Sequence, residues 1–288
     1  MIARDAPAKV NLYLRIVGRR SDGYHLLDSL VGFCDLADTV TVAPAGSLTL
    51  SMDGPMADAL AGEPAESNLV LRAARALAGR AGLVPKASIR LTKRVPVAAG
   101  LGGGSADAAA SLLALVELWR VALPVEELFD LAASLGADVP MCLAGGVAQV
   151  GGVGDRVGPA VALPPAGILL VNPGLPLATP PVFAAYARSG VPFSAAAPLE
   201  RAVPDVATLG VELASRGNDL TAAAATLAPA IDDARRALAA TPGCRVAQMS
   251  GSGATVFALY DDADGARRAA SVIARDHPAW WCHAGRLA

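Results

Sequence analysis

Apolar and polar residues alternate along several short stretches of this chain, which is the pattern of a β-strand with one face against a core. The clearest stretch is 10–16, where apolar residues at the even positions alternate with Asn11, Tyr13 and Arg15 at the odd ones. We therefore predict a half-buried strand there, followed by a turn over 21–23. Further strands are predicted over 39–42, 87–95, 144–154 (glycine-rich), 168–171, 245–258 (broken at 251–253) and 280–283.

Helical segments are marked by runs of strong helix formers that begin at a capping residue and end at glycine. Asn68 has the chemistry of an N-cap and Gly82 that of a stop, so a helix is predicted over 68–80. Thr179 and Pro180 are expected as the N-cap and first residue of a later helix. Other helices are predicted after Ser105, over 125–135, after Asn218 and over 263–275.

Helices and strands interleave throughout, which predicts a layered α+β fold. The 288 residues suffice for one or two domains. Near 157–165, prolines and small residues interrupt both the helical and the strand periodicity of apolar residues. We therefore place a domain boundary there, between an N-terminal domain of residues 1–157 and a C-terminal domain of residues 158–288.

Composition narrows the class of protein. A formal net charge of −2 argues against a nucleic-acid binder, which usually carries a basic face. The first residues lack the apolar core of a signal peptide, and the longest uncharged run, 157–187, is interrupted by seven prolines and predicts no spanning helix. The four cysteines lack metal-site spacing, so we expect reduced thiols, no metal cluster of cysteines, and a cytoplasmic protein.

Lysine is scarce in this chain. Of 24 basic residues only Lys9, Lys86 and Lys93 are lysine. In a chain that favours arginine, a lysine hints that its position needs a compact ammonium rather than a planar guanidinium group. The hint does not extend to Lys86, which lies in an ordinary loop.

The segment from Pro96 to Ala106 is the strongest chemical signal in the sequence. Four glycines within five positions leave backbone N–H groups open to close approach, and they lead from a predicted strand into a predicted helix. Such a helix N-terminus suits a phosphate. The residues of this segment do not match a Walker A loop, which needs a lysine before its Ser or Thr. They also do not match a dinucleotide-binding fingerprint that begins at Gly100 or at Gly102. The alternative is a glycine-rich turn that only caps a helix.

Five segments in order resemble the GHMP kinases, a family of ATP-dependent small-molecule kinases. They are Pro-Ala-Lys-Val-Asn-Leu (7–12), Asp-Gly-Tyr-His (22–25), Gly-Leu-Gly-Gly-Gly-Ser (100–105), Gly-Ala-Asp-Val-Pro (136–140) and Ser-Gly-Ser-Gly-Ala-Thr (250–255). The resemblance runs from about residue 3 to about residue 260. It implies an α+β fold of two domains, an N-terminal α/β domain like domain 2 of ribosomal protein S5 and a C-terminal ferredoxin-like domain.

The resemblance also implies a reaction and a set of roles. The five motifs are most similar to those of family members that phosphorylate the 2-hydroxyl of a cytidine-diphosphate methylerythritol with ATP and Mg²⁺. Lys9 and Asp138 would be the catalytic pair, and Asn68 would lie near the adenine. The ATP phosphate loop would comprise Pro96, Val97, Ala98, Ala99, Gly100, Leu101, Gly102, Gly103, Gly104, Ser105 and Ala106. The acceptor side would comprise Asn11, Tyr24, His25, Phe183, Gly251, Ser252 and Gly253.

One departure from the family pattern concerns the metal. Many relatives carry two serines after the glycines, whereas here Ser105 is followed by Ala106. If the second hydroxyl helps to hold Mg²⁺ in those relatives, Ser105, water or the ATP phosphates must do so here. We expect a small-molecule substrate and no nucleic-acid, membrane or obligate protein partner.

Each candidate residue has a plainer interpretation. Lys9 could be a solvated charge at a strand edge, and Asp138 a helix cap or turn residue. Tyr24 and Phe183 could be core aromatics, and His25 an ordinary surface histidine. Residues 251–253 could be a bulge, and His277 and His283 are expected to be structural. At the level of the protein, the alternatives are a kinase for homoserine or mevalonate and a non-catalytic binding module.

Overall fold

Residues 1–62 and 64–287 are described by the computed structural model, and they form ten strands and nine α-helices, with short 3₁₀ helices at Ala57–Leu60 and Ala65–Ser67. The strands are β1 (Ile2–Arg19), β2 (His25–Ala43), β3 (Leu48–Asp53), β4 (Ala87–Thr92), β5 (Ala148–Gly152), β6 (Arg156–Pro159), β7 (Ala166–Asn172), β8 (Val246–Met249), β9 (Val256–Tyr260) and β10 (Trp281–Leu287). The helices are α1 (Leu69–Arg80), α2 (Gly103–Trp119), α3 (Val125–Leu135), α4 (Val139–Ala144), α5 (Thr179–Ser189), α6 (Val206–Arg216), α7 (Thr221–Leu227), α8 (Ala230–Ala239) and α9 (Ala263–Asp276).

These elements divide into two units that interleave along the sequence. The first unit comprises Met1–Lys9, Leu36–Val97 and Gly102–Gly145. The second comprises Val10–Asp35, Ala98–Leu101 and the chain from Gly146 onward. The contiguous division at 157/158 stays a prediction, while the α+β class is confirmed.

In the first unit, helices α1 and α2 pack with strand β4 around one apolar cluster. β4 pairs in parallel with β3 and antiparallel with the last residues of β2. Helix α1 contributes Val70, Ala73 and Leu77, which lie on one face because they are three or four residues apart. The contacting face of α2 is rich in alanine, so the two helix backbones approach closely.

In the second unit, β7 is buried at every position and pairs antiparallel with β10 and β9. Strand β8 extends this sheet beyond β9, and the first part of β2 pairs with β5. Helices α5, α7, α8 and α9 supply the other side of the apolar cluster that covers β7 and β9. A run of apolar residues such as Ile168–Val171 is typical of a strand covered on both faces.

Local signals predicted several elements correctly. Helix α3 has the predicted bounds, and Asn68 caps α1 by accepting a hydrogen bond from the Val70 backbone N–H at 2.9 Å. Other predictions need correction. Thr179 is the first residue of α5 rather than its cap, because its hydroxyl bonds the Ser252 hydroxyl at 2.9 Å. The alanine-rich region is two helices, α7 and α8, separated at Ala228 and Pro229.

The half-buried character predicted for residues 10–16 is wrong. Asn11 and Tyr13 are both buried. They tolerate burial because each is hydrogen-bonded: Asn11 Nδ2 donates to Ser29 Oγ at 2.9 Å, and the Tyr13 hydroxyl donates to Asp28 Oδ1 at 2.9 Å. The polar face of the strand therefore lies inside the second unit.

Strands β3 and β6 and helices α4 and α6 were not predicted. β3 and β6 lie at the margins of their sheets with many exposed residues, so burial imposes little pattern on their sequences. No α-helix among the described residues is long and apolar enough to cross a bilayer. None of the four cysteines forms a disulfide bond within the described chain.

Gly167 offers a test of the second unit. A Cβ added to Gly167 would lie 1.9 Å from the backbone oxygen of Asp262, the N-cap residue of α9. We expect Gly167→Ala to lower the free energy of unfolding by about 1–3 kcal/mol or more, because backbone must move to make room. The measurement is urea denaturation.

Gly46→Ala is the matched control, since no described atom lies within 4 Å of the Cβ position of Gly46. Equal unfolding midpoints for the two variants would contradict the close packing of β7 under α9.

Candidate active site

An ion pair between Lys9 and Asp138 is the central feature of the candidate site in the first unit. Lys9 lies on β1 with 5% of its surface exposed, and its Nζ is 3.3 Å from Asp138 Oδ2. Asp138 immediately precedes α4, yet among the described residues its side chain accepts no capping hydrogen bond. The predicted pairing is therefore confirmed, and the interpretation of Lys9 as a solvated charge is wrong. Asp138 does occupy the turn at the N-cap position of α4, but its side chain pairs with Lys9 and does not cap the helix.

The two members of the pair differ in exposure. The side chain of Lys9 is 6% exposed and that of Asp138 is 37% exposed. A buried ammonium thus fixes a carboxylate that still reaches solvent. Such a carboxylate is held in place and remains accessible to an incoming hydroxyl group.

Gly102 packs directly against Lys9. It adopts a left-handed conformation (φ +63°) at the N-cap of α2, and a Cβ at this position would lie 2.6 Å from Lys9 Cγ. Glycine is required for both reasons, since other residues disfavour this φ and would displace the lysine. The last part of the predicted phosphate loop therefore touches the lysine of the predicted catalytic pair.

The N-terminus of α2 has the features of an anion site. The helix is 17 residues long and begins at Gly103, three residues earlier than predicted. Its first two residues are glycines, so these residues have no side chain that could block access to their N–H groups. The positive end of the helix dipole and these N–H groups suit a phosphate. Ser105 is half-buried in the same turn, and Ala106 is buried.

A buried ion cluster beneath this turn was not predicted. Lys93 Nζ donates to Asp107 Oδ2 at 2.7 Å and also to Asp38 Oδ2, and none of the three side chains is more than 4% exposed. Burial raises the pKa of Asp107 to about 7, against the lowering effect of Lys93. Burial alone would lower the pKa of Lys93, but Asp107 and Asp38 raise it. The scarcity of lysine was the only sequence signal for this cluster.

In the second unit, the middle of the glycine loop is supported by residues 250–255. The Ser250 hydroxyl donates to the Gly100 carbonyl at 2.9 Å, and the Thr255 N–H donates to the Ala99 carbonyl at 3.2 Å. A Cβ on Gly100 would lie 2.5 Å from the backbone oxygen of Ser250. Close backbone packing thus accounts for the glycine at this position.

The predicted acceptor residues Gly251, Ser252 and Gly253 are buried in the same turn. A Cβ on Gly251 would lie 3.3 Å from Asn11 Oδ1. Asn11 itself is 5% exposed, and its backbone N–H donates to Ser250 Oγ at 3.1 Å. The turn thus packs against Asn11, and the substrate-binding roles of all four residues stay predictions.

Three predicted cytidine contacts have different surroundings in the second unit. The Tyr24 side chain is exposed (66%), so its interpretation as a core residue is wrong. The His25 ring lies 5.3 Å from that of Phe183 and 5.7 Å from that of Tyr186, so His25 is not an ordinary surface residue. Phe183 is half-buried against the apolar cluster. Burial, reinforced by Arg19, lowers the pKa of His25, which favours its neutral imidazole.

The two remaining histidines each contact one neighbouring side chain. The His277 ring stacks on that of Trp280 at 3.8 Å, and His283 Nε2 lies 3.2 Å from Asp35 Oδ1. Asn68 uses its side-chain oxygen to cap α1, and its predicted place near adenine stays a prediction.

Comparison with known families identifies both parts of the chain. The description "GHMP kinases N terminal domain" matches residues 68–146, and "GHMP kinases C terminal" matches residues 199–279. Together these matches cover the glycine loop, Asp138 and residues 250–255.

Similar proteins extend over nearly the whole chain. A 4-diphosphocytidyl-2-C-methyl-D-erythritol kinase of Paramagnetospirillum magneticum is 53% identical over 98% of this chain and 97% of its own length. A protein of the same name from Rhodospirillum rubrum is 50% identical over 98% of this chain and 91% of its own length.

Solved structures agree with these relatives. A crystal structure of 4-(cytidine 5'-diphospho)-2C-methyl-D-erythritol kinase is 39% identical, covers 99% of both chains and has a TM-score of 0.81. A homoserine kinase from Cytophaga hutchinsonii, at 20% identity, covers 100% of this chain and 94% of its own with a TM-score of 0.74, and shows the fold alone.

Proposed function

This chain belongs to the GHMP kinase family, and we propose that it transfers a phosphoryl group from ATP to the 2-hydroxyl of 4-diphosphocytidyl-2-C-methyl-D-erythritol. The products are the 2-phosphate and ADP, in the non-mevalonate route to isoprenoid precursors. The observation that carries the substrate assignment is identity of about half over nearly full length to relatives of that name. The fold with its N- and C-terminal GHMP domains accords with it.

The glycine loop is proposed to hold the ATP phosphates. Phosphoryl transfer depends mainly on positioning and on neutralising charge. The glycine backbone at the start of α2 offers donors without side chains in the way, which fits a polyphosphate. The proposed loop is Pro96–Ala106, with Asn68 near the adenine.

Mg²⁺ is proposed to accompany ATP. Hard oxygen ligands suit this ion, and the half-buried Ser105 hydroxyl in the first turn of α2 is one such ligand beside the phosphate oxygens. When bound, the ion neutralises charge on the phosphates. The Ser105 hydroxyl would orient this complex against the helix N-terminus.

Asp138 is proposed to accept the proton of the acceptor hydroxyl. A tertiary alcohol is weakly acidic, so its proton leaves as the oxygen–phosphorus bond forms and the bond from phosphorus to the ADP oxygen breaks. The exposed part of the Asp138 carboxylate can take this proton, while Lys9 holds the carboxylate in place. The compact ammonium also offsets negative charge on the transferred group.

The acceptor is proposed to be held by residues of the second unit. Tyr24 offers an exposed aromatic face, His25 a neutral imidazole, and Phe183 a half-buried ring beside it. Asn11 and the turn Gly251–Gly253 would lie beside the methylerythritol part. A location in the cytoplasm is proposed as well, on the spacing of the four cysteines in the sequence.

An ADP-release assay tests the reaction. The purified protein is given ATP, Mg²⁺ and one alcohol from a panel: the cytidine-diphosphate methylerythritol, the same sugar alcohol without the cytidine diphosphate, homoserine and mevalonate. We expect ADP release with the first alcohol alone. Release with homoserine or mevalonate, and none with the first, would overturn the proposal.

Replacing Asp138 tests the proton acceptor. Asp138→Asn keeps the shape of the side chain but cannot take the proton, so we expect kcat to fall by about 10²–10⁴-fold. ATP affinity, measured by calorimetry without the acceptor, should stay within a few-fold of wild type. Asp130→Asn, on the exposed side of α3, is the control. An Asp138→Asn enzyme with most of its kcat would show that the carboxylate only orients the alcohol.

Replacing Tyr24 tests base stacking. Stacking of a base on an aromatic ring contributes about 1–3 kcal/mol, so Tyr24→Ala should raise KM for the cytidine substrate about tenfold or more and leave KM for ATP unchanged. Thermal stability should not change, because the side chain is exposed. Phe193→Ala removes another exposed aromatic of the second unit and serves as control. Equal effects of the two variants would argue against stacking at Tyr24.

A further inference from the structure

The ion cluster formed by Lys93, Asp38 and Asp107 has no role in the proposed reaction, yet it lies directly under the first turn of α2. A Cβ placed on Gly103 would be 3.5 Å from Lys93 Nζ. The cluster contains two carboxylates and one ammonium, all nearly inaccessible to water. Within the described chain the second oxygen of Asp107, Oδ1, has no hydrogen bond.

The cluster joins the two ends of the glycine loop. Lys93 follows β4 at the entry to the loop, and Asp107 lies in the second turn of α2 beyond its exit. Asp38 anchors the entry further, because its Oδ1 accepts the backbone N–H groups of Arg94 at 2.5 Å and Val95 at 2.9 Å. The Lys93 ammonium therefore links the chain before the loop glycines to the chain after them.

Stability alone is a weak explanation for such a cluster. Buried charges are costly to remove from water, and apolar residues of similar volume often stabilise a core equally well or better. An unpaired buried oxygen adds to that cost. A fixed distance between the ends of a loop, by contrast, lowers the entropy that the loop loses when it binds a ligand.

We propose that Lys93 is a positioning residue for the ATP phosphate loop: it ties Asp107 on α2 to Asp38 at the loop entry, and so holds the N–H groups of Gly103 and Gly104 in their binding geometry. The inference rests on the proposed function for the role of the loop. Lys93 acts through the backbone and does not touch ATP.

The test compares variants that remove the charge in two ways. Lys93→Met alone leaves two buried carboxylates without a partner, and it should lower the thermal midpoint strongly. Adding Asp38→Asn and Asp107→Asn removes all three charges, while the amide oxygen introduced at position 38 can still accept the loop N–H groups. This triple variant should regain most of the lost stability.

The triple variant should nevertheless keep a defect in the loop. We expect its ATP dissociation constant to rise by at least about tenfold, with kcat and KM for the alcohol within about threefold of wild type. Amide hydrogen exchange over residues 97–104 should be faster than in the wild type without any nucleotide present. The double variant Arg4→Met and Glu117→Gln removes an exposed ion pair between β1 and the same helix, α2, and should leave all these values unchanged.

Wild-type ATP affinity and wild-type exchange rates in the triple variant would overturn the inference and leave the cluster purely structural. If the triple variant does not fold, Lys93→Arg decides instead: it keeps the charge but not the compact shape, and an unchanged ATP dissociation constant would overturn the proposal. A wild-type protein that binds no ATP would refute the proposed function, while the exchange measurement would still report on loop positioning.

Discussion

The contact between Lys9 and Gly102 is the constraint on which the candidate catalytic pair depends. The aliphatic part of the lysine occupies the space where any other residue at 102 would place its Cβ. This contact buries the lysine stem and brings the ammonium within 3.3 Å of Asp138. The glycine therefore serves two purposes, since its left-handed backbone also begins the helix whose N–H groups are proposed to bind a phosphate.

Two of the three lysines in this chain are buried, and their partners explain the difference between them. Lys93 is balanced by two carboxylates that are as inaccessible as itself, so its charge is used entirely within the protein. Lys9 is paired with a carboxylate that is partly exposed, so charge and proton-accepting capacity remain available at the surface. An arginine is larger and planar and would need more space at either position.

The second glycine segment, residues 250–255, supports the glycine loop through hydrogen bonds and close backbone packing. Ser250 and Thr255 hold the backbone of Ala99 and Gly100, and the glycine at position 100 is needed because backbone meets backbone. The glycine loop is therefore held by hydrogen bonds within the second unit and, at its two ends, by the ion cluster of the first. Rigid loops of this kind bind anions with little loss of entropy.

The sequence by itself determined the features that depend on neighbouring residues. The cap at Asn68, the bounds of α3, the buried strand β7 and the glycine entry into α2 follow from local chemistry, and so they were predicted. The five motifs also determined the family.

Only the tertiary structure decided which distant groups meet. It placed the Asp138 carboxylate beside the Lys9 ammonium, left Tyr24 exposed, and buried Asn11 and Tyr13 on a strand face that alternation assigns to solvent. It also brought together Lys93, Asp38 and Asp107, a cluster that the sequence analysis did not predict. The physical reason is that a polar group can be buried wherever a distant partner satisfies it, and no local pattern records where that partner will be.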